Sequence, residues 1–193
     1  MKNEILKIKN NIIKIDPKRW WGDDFDVRFF LISKLEEFEN KIILDIGGGI
    51  GIISKYTNQS NFKINLDISI EDIKKCNKEF PEIHTICASR THLPFKNNSI
   101  DVVICAHILA GAKAMDLEEK SYIKKNGVFE YPTVEKIMKE TSECLKFGGK
   151  FFVTATNNEF YKTRKLNYNE LKHSISNHFK KFEIIFFNTL PSF

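Results

Sequence analysis

No apolar run in this chain approaches the roughly 20 residues needed to cross a bilayer. The longest, DVVICAHILAGA from Asp101 and KFFVTAT from Lys150, are strand-sized, so a membrane span is not expected. The N-terminus, MKNEILKIKNNIIKI, interrupts its apolar positions with lysines and has no small-residue cleavage site. It does not read as a secretory signal, and the cytoplasm is the expected compartment. Cysteine is sparse and scattered: Cys76, Cys87, Cys105 and Cys144 form no C-x-x-C pair and have no histidine at zinc-ligand spacing. No metal site is expected, and the thiols read as small buried hydrophobes. A strong charge of one sign is missing too. Thirty basic residues against 25 acidic ones give a mild, lysine-dominated +5, whereas a nucleic-acid footprint is a concentrated basic face. Internal repeats and low-complexity tracts are absent.

What is present is 42% hydrophobic residues in 193, enough for one domain with one core. Ile5, Ile8, Ile12 and Ile15 recur at helical spacing before Asp16-Pro17, which predicts an N-terminal amphipathic helix. A second helix is expected from Asp24 or Asp26 through Phe25, Phe29, Ile32, Leu35 and Phe38, with the loop WWGDD before it. From Lys41 the pattern changes to short apolar runs, IILDI, KINLD, IHTIC, DVVIC, KFFVT and FEIIFF, alternating with helix-like segments at 51–60, 69–79, 133–146 and 167–179. Such alternation predicts parallel strands joined by crossover helices, an open doubly wound α/β sheet covered on both faces, with ligands at the carboxyl ends of the strands. Residues 110–132 stand out as a long irregular connection of the kind that forms binding loops or lids. The expected organisation is a single domain, 1–193: a helical segment over 1–40, a ligand-binding core over 41–156, and a C-terminal helix and strand over 157–193.

The stretch ILDIGGGIGIIS places four glycines, Gly47, Gly48, Gly49 and Gly51, at the end of the first core strand. A phosphate-binding P-loop needs a lysine and a Ser/Thr after the last glycine, and Ile52-Ile53-Ser54 stand there instead. The dinucleotide fingerprint needs a small residue at Ile52, where a branched side chain obstructs helix-to-strand packing. What remains is acidic-x-Gly-x-Gly-x-Gly, beginning at Asp45.

In this motif the chain resembles class I S-adenosylmethionine (SAM)-dependent methyltransferases. The resemblance implies that the glycines admit the methionine end of SAM and that Asp45 helps hold its amino group. Downstream, INLDIS places Asp67 where the family's acidic residue accepts from both ribose hydroxyls, with Ile68 against adenine. ASRTHLPFKNNSIDVVICAHIL looks like the family's third motif and fourth strand. There Ser89, followed by Arg90, replaces the usual adenine-binding aspartate, which weakens that contact because a hydroxyl lacks the charge. ECLKFGGKFFVTA matches the turn into the fifth strand, Gly148 and Gly149 being structural. The matches cover about residues 41–156.

The resemblance also implies that Arg90 and Ala106 belong to the cofactor-binding set, while His107 lies just past the fourth strand, on the rim where family members face the acceptor. His107 is either a general base or a hydrogen-bonded structural histidine, and His92 reads as a surface residue. The absence of an N-P-P-Y sequence at CAHI argues against adenine-N6 and glutamine methylation. Arg28 either pairs with the SAM carboxylate or, with Trp20, Trp21 and Asp24, staples the N-terminal helices to the sheet. Tyr168 and Glu170 either line the acceptor side or stand at an exposed helix start. After FEIIFFNTL only Pro191, Ser192 and Phe193 follow, so the family's seventh strand is expected to be missing: the sheet is trimmed, the chain is cut, or a partner covers the edge. The expectation is a SAM-dependent methyltransferase, yielding S-adenosylhomocysteine (SAH), with a small-molecule acceptor and no metal. Its rivals are a non-catalytic SAM/SAH-binding domain and an RNA or protein methyltransferase acting through the basic 110–132 and 161–165 segments.

Overall fold

The computed structural model describes residues 5–8, 11–14, 31–125, 127–154 and 167–182. Strands β1 (Ile5–Ile8) and β2 (Asn11–Lys14) pair antiparallel, Ile5 opposite Lys14 and Ile8 opposite Asn11. This corrects the helix expected there. The isoleucines fit a helical period, but β-branched residues lose rotamer freedom in a helix and favour strands.

Helical residues 31–35 (α1) are the described end of the second expected helix, and they bury Leu31, Ile32 and Leu35. The core then follows as β3 (Ile42–Ile46), α2 (Ile52–Lys55), β4 (Phe62–Asp67), α3 (Ile70–Glu79), β5 (His84–Cys87) and β6 (Ile100–Ala106). Beyond these come α4 (Leu109–Glu118), β7 (Ile123–Lys125), β8 (Val128–Glu130), α5 (Pro132–Cys144), β9 (Leu145–Thr154) and α6 (Tyr168–His178). Five strands form one sheet in the order β5-β4-β3-β6-β9, and every pairing in it is parallel. Strand order reverses between β3 and β6, which opens a crevice beyond their carboxyl ends.

Both faces are covered, as near-continuous apolar strands require. Ile43, Val102 and Ile104 pack on one side with α1 and Ile53. Leu44, Ile46, Leu66 and Val103 pack on the other with Cys144. A third cluster sets Cys105 and Leu109 against Val134, Ile137, Met138 and Ile175, joining α4, α5 and α6.

Two connections differ from expectation. Helix α2 is a single turn, because Thr57 Oγ1 donates to Ser54 O (2.8 Å) and Ser60 N donates to Asn58 Oδ1 (2.9 Å). Such local side-chain bonds compete with helix propagation. The 110–132 segment is an ordered helix and hairpin in place of an irregular loop. Asp116, buried in α4, accepts from Thr133 N (2.9 Å) and Thr133 Oγ1 (2.6 Å), so it caps α5 across the chain and pins the segment at both ends. The presumed sixth strand after Phe182 and the question of a seventh lie outside the described residues. Among the described residues no helix is long and apolar enough to cross a membrane.

Candidate functional site

Gly47, Gly49 and Gly51 have φ of +69°, +55° and +79°, the left-handed region that only glycine enters without penalty. They carry the chain from β3 in a tight turn over the neighbouring strand, and Gly47 N donates to Leu66 O at 2.7 Å. The inner side is closed. A Cβ on Gly48 would stand 2.7 Å from the Asp45 carboxylate, and one on Gly51 would stand 2.6 Å from Cys76 Sγ. The outer side is open: a Cβ on Gly49 would meet nothing within 4 Å. The turn is therefore a bare ledge of backbone, braced from below.

Asp45 is fully buried beneath it, and its Oδ2 accepts from Ser54 Oγ at 3.1 Å. Beside it in register, Asn65 donates from Nδ2 to Gly49 O at 2.7 Å. Asp67 rises at the end of β4 with both oxygens in use. Oδ2 accepts from Gly49 N (2.9 Å) and Oδ1 from Ser69 N (2.9 Å). A carboxylate has about four acceptor positions, so two are left for a ligand. Ile68, next in the chain, is 75% exposed, an apolar surface beside a polar anchor. Ser69 is the N-cap of α3 and accepts from Asp72 N, which leaves Asp67 free of that duty.

The loop after β5 is fixed to the same place, since Ala88 N donates to Asp67 O at 3.1 Å. Ser89 Oγ accepts from Thr91 N (3.3 Å) and bonds Thr91 Oγ1 (2.9 Å). The Ser89 hydroxyl is thus engaged in shaping its own turn. Arg90 extends onto α4, where Nη2 meets Met115 Sδ at 3.3 Å. His92 is exposed, as expected, and pairs with Lys136.

Across the crevice, Ala106 ends β6 opposite Thr154 of β9. His107 follows with φ +61°, uncommon for a residue with a side chain. Its N–H donates to Thr154 Oγ1 at 3.1 Å, and its Nε2 is shielded from solvent. The structure brings the glycine turn, Asp67, Ile68, Ser89, Arg90, Ala106 and His107 to the carboxyl ends of four adjacent strands. Arg28, Trp20, Trp21 and Asp24 lie outside the described residues.

A profile of the family described as "Methyltransferase domain" matches residues 44–153, from β3 to β9. The chain belongs to the methyltransferase-domain family. An uncharacterized protein of Methanocaldococcus jannaschii is 33% identical over 129 residues, 65% of this chain and 46% of that protein. A sterol 4-C-methyltransferase of Caenorhabditis elegans, strm-1, is 28% identical over 152 residues, 74% of this chain and 40% of its own. The match spans less than half the length of each of these relatives. Among solved structures, the YcgJ protein of Bacillus subtilis shares the fold with a TM-score of 0.60 at 17% identity, over 80% of this chain and 68% of that one.

Within this methyltransferase domain, sequence reasoning passed over Asn65 and Thr154, which hold the turn and the rim. Asn65 had a signal: Lys63, Asn65 and Asp67 alternate along β4 and so share one face of an otherwise apolar strand. Glu170, read as lining the acceptor side or as an exposed helix start, is instead buried. Its Oε2 accepts from Lys113 Nζ (2.8 Å) and its Oε1 from Tyr131 OH (2.9 Å), and it also completes a capping box with Asn167. Burial, and then the Glu170 carboxylate, push the Tyr131 phenol well above its ordinary range. Cys76, Cys105 and Cys144 are buried as expected, and burial raises their thiols, Cys144 to about 11. Such thiols are unreactive. Cys87 departs from the expectation: the end of β5 is an edge, and its thiol is exposed there.

Proposed function

We propose that this domain binds SAM on the ledge formed by the glycine turn and Asp67 and transfers its methyl group to a small-molecule acceptor. The observation that carries the reading is Gly49: an open, left-handed backbone position whose N–H is held by the Asp67 carboxylate. Those residues fit the group the family implies. The bare backbone admits a ligand close to the turn, Asp67 keeps two acceptor positions for the ribose hydroxyls, and exposed Ile68 offers the adenine an apolar face. Gly47, Gly48 and Gly51 supply the curvature. Buried Asp45 acts through the turn it braces, with Ser54 and Asn65 beside it.

Bound there, SAM supplies an electrophilic methyl group, and the chain's contribution is to orient donor and acceptor and exclude water. Ala106 and His107 form the acceptor rim. His107 is the candidate general base for an acceptor that must lose a proton, and its left-handed backbone, fixed by Thr154, sets where the imidazole stands. Titration calorimetry with SAM and SAH tests the reading. Micromolar binding of both is expected, and no heat at such concentrations would overturn it.

A further inference from the structure

Arg90 is half-buried in the loop after β5 and reaches across to α4. A guanidinium has five N–H donors. Among the described residues its one hydrogen bond is the contact with Met115 Sδ, a weak acceptor, and no carboxylate lies within ion-pair distance. Both terminal nitrogens stand 4.0 Å from where a Gly111 Cβ would be, so the fork lies over the bare backbone of the helix. Neighbouring cations are differently placed. Lys113 is paired with Glu170 and Lys136 with His92.

The place of this cation is fixed by the chain on either side of it. Ala88, two residues before, is bonded to Asp67 O, while Met115 and Gly111 belong to the helix that follows His107. Its positive field also reaches Cys105, near the end of β6. Arg90 thus spans from the Asp67 side of the crevice to the helix flanking the acceptor rim. Holding an arginine partly desolvated with no anionic partner among the described residues is costly, and its planar fork is matched to carboxylate and phosphate oxygens.

We propose that Arg90 is the docking group for an oxyanion, carboxylate or phosphate, carried by the methyl acceptor. The proposal rests on the SAM reading and narrows it to anionic small molecules. It assigns Arg90 to acceptor recognition, where the family resemblance implied a cofactor contact.

The test uses the full chain saturated with SAH and three probes that share a ring and differ in charge: phenyl phosphate, benzoate and benzyl alcohol. Phenylglyoxal labelling of Arg90, read by peptide mass spectrometry, should be slowed at least about tenfold by one or both anions and not by benzyl alcohol. Comparing the two anions separates phosphate from carboxylate recognition. Arg90→Met should weaken binding of the protecting anion by about 10- to 100-fold, and Arg90→Lys by less, since it keeps the charge without the fork. Equal protection by benzyl alcohol, no protection by any probe, or anion binding unchanged in Arg90→Met overturns the proposal. So does a variant that loses SAH affinity alone, because Arg90 then serves the cofactor. Calorimetry of SAH on the same samples reports separately on the underlying reading: SAH failing to bind while the anions still protect Arg90 overturns that reading and leaves the oxyanion site.

Discussion

The four glycines of the turn are not equivalent, and Gly51 and Gly49 predict opposite phenotypes. Gly51 faces inward, so Gly51→Ala sets a methyl group 2.6 Å from Cys76 Sγ at a φ of +79°. Overpacking and left-handed strain together should cost about 2–5 kcal/mol of stability, measured by urea unfolding. Gly49 faces open space at φ +55°. Gly49→Ala should lose only the backbone term of about 1–2 kcal/mol, yet weaken SAH binding strongly, because the methyl group occupies the ledge. Asp67→Ala should weaken SAH binding by about 1–3 kcal/mol through unpaired ribose hydroxyls. Calorimetry would show it, and unchanged affinity would refute the assigned role.

At the scale of elements, the α4–hairpin–α6 assembly turns on one buried charge pair. Lys113 and Glu170 are 7% and 4% exposed, and Lys113 Nζ also lies 4.6 Å from the centre of the Tyr131 ring. Glu170→Gln leaves the ammonium buried against a neutral amide. A loss of about 3–5 kcal/mol is expected, lowering the melting temperature by roughly 6–20 °C in a domain of this size. A drop of less than about 2 °C would show that the pair adds little. This network explains where the sequence was legible and where it was not. Strands β3 to β6 and helices α3, α5 and α6 were readable because each carries its own period, with local caps at Ser69 and Asn167. The 110–132 segment was not. Its helix has no side-chain cap of its own, and its order comes from Asp116 reaching Thr133 and from Lys113 reaching Glu170, contacts that no sequence window contains. At the N-terminus the isoleucine spacing fitted a helix, but residue type favoured strands. In the site, the place of Asp67 at the end of β4 was legible in the sequence. The burial of Asp45 and the self-bonded turn at Ser89 depend on neighbours distant in the chain.

For the molecule as a whole, acid stability is set by carboxylates that join distant parts. Asp101 accepts from Ile42 N (2.9 Å) and Lys146 Nζ (3.0 Å), tying β6 to β3 and β9. Burial raises its pKa, but those two donors outweigh burial and hold it below the usual carboxylate range. The hydrogen bond from His173, and to a lesser degree the charge of Lys125, hold Glu130 below its ordinary value as well. A carboxylate with a depressed folded pKa contributes stability above its unfolded value, and that contribution is lost as pH falls through the folded one. The wild-type melting temperature should therefore fall steeply below about pH 4, and Asp101→Asn and Glu130→Gln should each flatten that limb while starting lower at neutral pH. Parallel limbs would exclude them as the source. Asp67 has a different whole-molecule consequence. One carboxylate holds the amide protons of both Gly49 and Ser69, so solvent exchange of the turn and of the start of α3 is coupled through a single side chain. Exchange at those two protons should slow in step when a ligand takes the remaining lone pairs, giving the chain an internal gauge of occupancy that needs no knowledge of the acceptor.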